Sequence, residues 1–371
     1  MKTQTSSTAI AVCFVLVLCS AVAQADSFTP QRLFTLPYGS EPGQIGIWLP
    51  GLEEGTAEGP TGIAVGRDGS IYIADSVNRR IQRFSASGEL LMEAKGPVPR
   101  RADHAEAEAA RGWGAEFPRQ LKQLDIIQYL AVDSHGNAYV LLGPSMGLLA
   151  KFAADGQGLW YMAIANEVPF DVARTYGGSY RRPTIGPGDS LCIGMRGRGV
   201  ALLDTDGHFL GAVSGDACTP NGRVAAFESA RGSLATAMRM YDAEGVELAY
   251  FVADLAAADP ALLVGMEGLS GTAFDGMDNL YTFAIGGRNQ RIVLASQLRI
   301  VCDEVIVRFD SSGRAAAGVR FPGDPFPTGR SSTVDYFGNI YRLAFSADSV
   351  DVVKYTLDTS TTHYTALRED Y

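Results

Sequence analysis

The chain contains a pattern of short strands and tight turns that recurs along most of its length. Its clearest copy runs from Gly59 to Leu91 and reads GPTGIAVGRDGSIYIADSVNRRIQRFSASGELL. Asp68-Gly69 and Ser87-Gly88 supply turn residues between short apolar runs, and a polar stretch separates the second run from the third. Each copy is therefore predicted to form four short antiparallel strands.

Five further copies follow the first one along the sequence. The clear ones are AVDSHGNAYVLLG from Ala131, GTAFDGMDNLYTF from Gly271 and STVDYFGNIYRLAF from Ser332. Two weaker ones, PTIGPGDSLCIG and TPNGRVAAFE, lie between them. Since one small sheet cannot bury both of its faces, such units stack around an axis. The last copy runs out after three strands, and we expect Arg32–Leu36 to pair with Asp351–Leu357 and close the ring.

The stretch IYIADSVNRRIQRF, followed by SGELL, resembles the NHL repeat of secreted bacterial proteins. The other copies resemble it in outline or only in their turns, and together they span the chain from about Arg32 to Leu357. The resemblance implies an all-β fold, a six-bladed β-propeller of four-stranded antiparallel blades closed by an N-terminal strand. It implies no single function, because such rings host binding proteins and enzymes alike.

The N-terminus has the features of an export signal, predicted over residues 1–25. Positive charge at Met1-Lys2 precedes the apolar run Ile10–Val22 and the small residues of Ala23-Gln24-Ala25. This run of about 13 residues is shorter than the roughly 20 that span a bilayer. We therefore expect a single propeller domain over residues 26–371, periplasmic or extracellular and without membrane insertion. Its long insertion at about 93–128 is predicted to contain a short helix over Ala102–Ala110.

Three cysteines follow the predicted signal: Cys192, Cys218 and Cys302. An odd number leaves at least one thiol without an intrachain partner. Two alternatives stay open. All three are buried thiols, or Cys192 and Cys218, which fall in adjacent units of the repeat, form a disulfide bond in an oxidising compartment.

The charges separate by face of the predicted ring. The chain carries 31 basic and 41 acidic residues, a formal charge of −10, which argues against a nucleic-acid partner. Acidic residues concentrate in the hairpin turns, and arginines concentrate in the opposite loops, where they offer paired donors to anions. The alternative is that each Asp accepts hydrogen bonds from the backbone of its own turn, and that the loop arginines are solvated surface residues without a ligand. The predicted ligand-binding residues are Asn78, Arg79, Arg80, Arg181, Arg182, Arg196, Arg198 and Arg288.

The motifs of enzymes are weak in this chain. Of the four histidines, His104, His135, His208 and His363, no two have the spacing of metal ligands, so no metal ligand is predicted. Calcium held by turn carboxylates such as Asp275 and Asp278 stays open as an alternative. The segment Gly143–Gly147 fits G-x-S-x-G, but it lies between strands and lacks the strand–turn–helix that this nucleophile motif needs.

The sequence favours a monomeric, non-catalytic scaffold without a cofactor. Its expected partner is a protein, or an anionic small molecule or glycan, bound on the arginine-rich face. The alternative is a propeller hydrolase or lyase, gluconolactonase-like or amidating-lyase-like, with a metal in its central channel.

Overall fold

The computed structural model describes most of the predicted domain. The described residues are 27–49, 58–101, 103, 120–121, 124, 127–142, 147–176, 180–195, 199–228, 234–242, 245–255, 260–264, 266–294, 297–324 and 331–358. The predicted signal peptide, the predicted helix Ala102–Ala110 apart from Asp103, and the residues Arg196 and Arg198 lie outside these ranges.

Six four-stranded antiparallel sheets, one for each sequence copy, confirm the six-bladed propeller. The first strand in the chain, β1 (Ser27–Pro37), belongs to the last blade. Blade 1 contains β2 (Gly62–Val65), β3 (Ile71–Asp75), β4 (Arg80–Phe84) and β5 (Leu90–Ala94). The short pair β6 (Val98–Pro99) and β7 (Gln120–Leu121) follows it. Blade 2 contains β8 (Ile127–Val132), β9 (Ala138–Leu142), β10 (Leu148–Phe152) and β11 (Gly158–Ala163).

Two short helices, α1 (Ile164–Glu167) and α2 (Phe170–Tyr176), connect blade 2 to blade 3. Blade 3 contains β12 (Tyr180–Ile185), β13 (Leu191–Met195), β14 (Gly199–Leu203) and β15 (Phe209–Ser214). Blade 4 contains β16 (Ala217–Cys218), β17 (Val224–Glu228), β18 (Ala235–Tyr241) and β19 (Glu247–Asp254). Single 3₁₀ turns lie at Pro187–Asp189 and Pro260–Leu263. None of the helices in the described ranges is long and apolar enough to cross a membrane.

Blades 5 and 6 complete the ring. Blade 5 contains β20 (Met266–Phe274), β21 (Leu280–Leu294), β22 (Gln297–Phe309) and β23 (Ala315–Asp324). Blade 6 contains β24 (Ser332–Val334), β25 (Ile340–Phe345) and β26 (Ser349–Asp358), with β1 as its outer strand. Strand β1 runs antiparallel to β26 and places Leu36 opposite Val350 and Arg32 opposite Val353. The predicted closure by the N-terminal strand is therefore confirmed.

Blade 5 departs from the sequence prediction in one loop. By analogy with the polar loop of the first copy, the repeat predicts a loop between the second and third strands over residues 286–301, but β21 and β22 continue through them. Gln290 pairs with Val301 and Leu294 pairs with Gln297. This part of the hairpin extends past the ends of the two outer strands of the blade, β20 and β23. Arg288 therefore lies in a strand. The reason is that the apolar, β-branched stretch RIVLASQLRIV favours a longer hairpin over an irregular loop.

A tyrosine in the second strand of four blades fills the space between neighbouring blades. These residues are Tyr72, Tyr139, Tyr281 and Tyr341, all buried, as the repeat predicts. Each lies opposite a basic residue of the third strand: Arg83, Lys151, Arg308 and Lys354 respectively. In blades 3 and 4 the same position is occupied by Cys192 and Ala225. The three cysteines are buried, and none of them forms a disulfide bond in this structure.

Candidate functional site

The six innermost strands, β2, β8, β12, β16, β20 and β24, surround a central channel with a cavity of about 150 Å³. The register aligns two rings of lining residues. The first ring is small in every blade and comprises Ala64, Ala131, Thr184, Ala217, Ala273 and Thr333. The second ring is apolar and comprises Val65, Val132, Ile185, Cys218, Phe274 and Val334. Small side chains keep the channel open, and apolar ones suit a ligand with an apolar body.

The mouth of this cavity lies on the face formed by the first-to-second turns. Arg67, on the turn of blade 1, is exposed, and its guanidinium carbon lies 4.4 Å from the ring centre of Tyr336. Within the described ranges this guanidinium makes no hydrogen bond or ion pair. Phe337 and Met277, which are 71% and 44% exposed, lie on the turns of blades 6 and 5 on the same face of the ring. The mouth thus combines a cation with available donors and exposed apolar groups.

The carboxylate of Asp335, at the same mouth, accepts hydrogen bonds from within its own turn. It accepts hydrogen bonds from the backbone N–H groups of Phe337 (2.9 Å) and Asn339 (2.8 Å) and from the side-chain amide of Asn339 (2.8 Å). Burial raises the pKa of Asp335, against the effect of these donors. Asp335 therefore shapes the turn and leaves Arg67 as the available charged group beside the cavity.

Hydrogen bonds join the turns of blades 4, 5 and 6 around the mouth. The side-chain amide of Asn221 donates to the carbonyl of Gly276 at 2.9 Å. The N–H of Gly276 donates in turn to the carbonyl of Tyr336 at 2.7 Å. A Cβ at Gly276 would lie 2.4 Å from the Tyr336 ring, so glycine is required for this close approach. The position of Tyr336, and hence of Arg67 stacked on it, is fixed by the neighbouring blade.

Two turn aspartates hold blades together, a role beyond the turn chemistry expected for them. Asp189 and Asp278 have a φ of 61° at the position where other blades have glycine. The Asp189 carboxylate accepts hydrogen bonds from the N–H (2.9 Å) and hydroxyl (2.6 Å) of Ser134 and contacts His135 Nδ1 at 2.9 Å. Burial opposes ionisation, yet these donors lower the pKa of Asp189. Asp278 pairs with Arg223 at 3.0 Å, so each aspartate reaches the preceding blade.

The structure describes the side chains of only some of the residues predicted to form the arginine-rich face. Arg79 is exposed at the tip of the β3–β4 loop, with a φ of 55°, and Asn78 beside it is half-buried. Arg181 and Arg182 lie in β12, the innermost strand of blade 3, and not in a loop as predicted. Of the eight predicted residues, the structure brings together Asn78, Arg79 and Arg80.

Arg80 corrects the predicted set, because its side chain is fully buried and has no donor left for a ligand. Its Nε lies 2.9 Å from Asp75 Oδ2 and its Nη1 lies 2.7 Å from Glu93 Oε2. The remaining donors reach the carbonyl oxygens of Ser40 (2.8 Å), Glu41 (2.9 Å) and Gln44 (2.8 Å). All five N–H groups of the guanidinium are thus satisfied by the chain itself.

The neighbours of Arg80 bind the same N-terminal stretch, residues 39–46, which we name the strap segment. Asn78 donates its side-chain amide to Gly39 O at 2.8 Å. Gln82 donates to Gln44 O at 2.7 Å and accepts from Gly43 N at 2.7 Å. The strap segment follows β1 directly, so it ties the strand that closes blade 6 to the polar residues of blade 1.

No group of three or more His, Cys, Asp or Glu side chains in the described ranges could hold a metal ion. His135 contacts Asp189, and His208 Nδ1 lies 3.1 Å from Asp204 Oδ2, both within turns. His104, His363 and Ser145 of the G-x-S-x-G segment lie outside the described residues. Calcium in the channel, which the sequence leaves open as an alternative, stays an alternative.

Sequence reasoning missed the channel-lining residues and Arg67. An alanine or a threonine in a strand does not by itself indicate a binding site, and neither does a single arginine in a turn. One signal was present, however. The first ring of the channel lies two residues before each turn, opposite the second-strand tyrosine position, in all six copies. Aligning the copies on their turns therefore identifies the ring.

Comparison with known proteins agrees with the fold. The NHL repeat model matches residues 58–84, which cover the first three strands of blade 1. No curated protein matches the chain. The chain is thus a six-bladed propeller with an NHL repeat in its first blade.

Several solved structures resemble the chain distantly. A streptogramin B lyase is 13% identical with a TM-score of 0.42, over 89% of this chain and 98% of that one. A catalytically inactive virginiamycin B lyase from Staphylococcus aureus, solved with quinupristin, is 13% identical with a TM-score of 0.43, over 89% and 99%. A protein of unknown function from Bacteroides caccae is 14% identical with a TM-score of 0.40, over 74% and 85%. Likenesses at this level transfer no chemistry to this chain.

Proposed function

We propose that this propeller is a non-catalytic binding scaffold and that its ligand enters the central channel from the face of the first-to-second turns. One observation carries the proposal. All six blades contribute a small residue and an apolar residue to the same cavity. A cavity with apolar walls and a few placed polar groups is the usual form of a small-molecule site.

The chemistry of the mouth narrows the ligand class. The guanidinium of Arg67 has hydrogen-bond donors that no described residue uses, and it stacks on the ring of Tyr336. Asp68, the acid next to it, pairs with Arg83 at 2.7 Å and accepts from Ser70, and these contacts lower its pKa although burial opposes them. The proposed ligand is therefore a small molecule with an apolar body and one acceptor group, such as an aromatic carboxylate.

Narrowing the channel, or removing the charge at its mouth, should weaken ligand binding. We expect members of a panel of aromatic and aliphatic carboxylates to raise the melting temperature of the wild-type protein. Ala273→Phe narrows the first ring and Arg67→Gln removes the charge, so each should weaken binding at least about tenfold, a loss of roughly 1.4 kcal/mol. The measurement is isothermal calorimetry with the strongest member of the panel.

The matched control is Ala86→Phe, the same substitution at an exposed turn of blade 1. It should bind like the wild type. Equal binding by Ala273→Phe and the wild type, or no response to any carboxylate, would contradict the channel site. Metal analysis of the purified protein separates the alternative function. Stoichiometric calcium or zinc would favour a hydrolase or lyase with a channel metal over the scaffold.

The arginine-rich face provides a second candidate surface, for an anionic glycan or an acidic protein segment. The supporting observation is the exposure of Arg79 at a loop tip. Exposed charges are screened over about 8 Å at physiological salt, so binding of polyanionic glycans should weaken as salt rises. Arg79→Ser should weaken it further, whereas Arg314→Ser, on the opposite face, should not. Calorimetry at low and high salt tests this, and identical behaviour of the two variants would contradict it.

A further inference from the structure

Blade 3 presents a cysteine to blade 4 at the position where blades 1, 2, 5 and 6 have a tyrosine. In blade 1 the hydroxyl of Tyr72 donates to Gly136 O of blade 2 at 2.8 Å. In blade 5 that of Tyr281 donates to Gly338 O of blade 6 at 3.0 Å. Cys192 holds the equivalent position in blade 3, opposite Thr184 of the first strand. The side chain that it meets in the next blade is another cysteine.

The two thiols are brought together by the packing of adjacent blades. Cys192 and Cys218 are buried in one apolar cluster with Val200 and Val224. Cys192 lies in β13 of blade 3 and Cys218 in β16 of blade 4. The hydrogen-bonding contact with Cys218, together with burial, raises the pKa of the Cys192 thiol. Cys302, by contrast, lies in β22 of blade 5, outside this cluster.

One of the two sulfur atoms can be reached by a small molecule from the channel. Cys218 belongs to the second ring of the channel, so a small molecule that enters the cavity meets its side chain. Cys192 lies one strand further from the axis, in the second strand of its blade. An attack that begins at Cys218 therefore finds Cys192 next to it as the resolving thiol.

We propose that Cys192 and Cys218 form a disulfide bond that links blades 3 and 4 when the channel admits a small-molecule disulfide as oxidant. The Cys218 thiol loses its proton and attacks one sulfur of the oxidant, which releases one thiol and leaves a mixed disulfide on Cys218. The Cys192 thiol then loses its proton and attacks the Cys218 sulfur, which releases the second thiol. Two protein thiols are oxidised, and one oxidant disulfide is reduced. This inference is independent of the proposed channel ligand.

The test uses the full chain with oxidised glutathione as the probe. After incubation, the protein is unfolded in an alkylating agent and mapped by mass spectrometry without reduction. We expect a peptide pair linked through Cys192 and Cys218, and unmodified Cys302 available for alkylation. Because the bond closes a loop of about 27 residues, the melting temperature should rise by about 5 °C and fall again on reduction. Alkylation of both thiols, or glutathione retained on Cys218, would overturn the proposal.

Two variants sharpen this result. Cys302→Ser should still form the linked peptide and show the same rise in melting temperature. Cys192→Ser removes the resolving thiol, so the reaction should stop with glutathione on Cys218 and no rise. If Cys192→Ser does not fold, the wild-type map decides alone. A linked peptide that includes Cys302 would contradict the assigned pair.

Discussion

Deletion of residues 27–37 should make the protein aggregate. Strand β1 covers the edge of β26, with partners from Ser27 opposite Asp358 to Pro37 opposite Ser349. Without it, β26 presents unpaired N–H and C=O groups, which are a template for pairing with other chains. Leu36 is buried, and the Phe34 ring lies 5.6 Å from that of Phe84, so apolar contacts are lost as well. Fully burying such a side chain stabilises by roughly 1.5–3 kcal/mol.

Light scattering during size-exclusion chromatography and thermal unfolding measure this effect. The control is the double substitution Thr29→Ala and Gln31→Ala, which changes exposed side chains of β1 and leaves its backbone pairing in place. The control should keep the melting temperature of the wild type. A truncated protein that remains dispersed with an unchanged melting temperature would show that β1 does not close the ring.

The fold was predictable because the signals for it are local and repeated. Asp68-Gly69 and the alternation of Ile71, Tyr72 and Ile73 indicate a hairpin within about ten residues, and the same combination returns in later copies. Even closure followed from counting strands, since the last copy lacked one. The long hairpin of β21 and β22 was missed because a stretch between two recognised strands was assigned to a loop by its position alone.

The role of Arg80 was not predictable from the sequence for a physical reason. It ends a mostly polar segment, Ser76 to Arg80, which predicts a solvated loop. Its burial depends on the strap segment, which lies about 40 residues earlier and whose path over blade 1 no local pattern specifies. Arg79, one position before it, keeps the exposure that the sequence suggests.

Replacement of Arg80 by leucine should be among the most destabilising single changes in this protein. Asp75 and Arg80 are both fully buried, and the two side chains neutralise each other at 2.9 Å. Arg80→Leu leaves the Asp75 charge buried without its partner, which typically costs about 3–5 kcal/mol. It also removes the guanidinium donors of three strap carbonyls. Glu41 O keeps the N–H of Gln44 and Gln44 O keeps the amide of Gln82, so the main loss is at Ser40 O, at a cost of about 1–3 kcal/mol where water cannot replace the donor. We expect the free energy of unfolding in urea to fall by at least 3 kcal/mol.

Three further variants separate the buried charge from the loss of a side chain. Arg79→Leu, the adjacent exposed arginine, should change stability by no more than about 0.5 kcal/mol. Arg80→Lys keeps the charge beside Asp75 but offers three donors in place of five, so its loss should be intermediate. Asp75→Asn in the Arg80→Leu background removes the orphaned charge and should recover part of the stability. Limited proteolysis should cut the strap segment, residues 39–46, faster in Arg80→Leu than in Arg79→Leu. Equal stability and equal cleavage in these two proteins would mean that the guanidinium does not hold the strap segment, and that β1 closes the ring without help from blade 1.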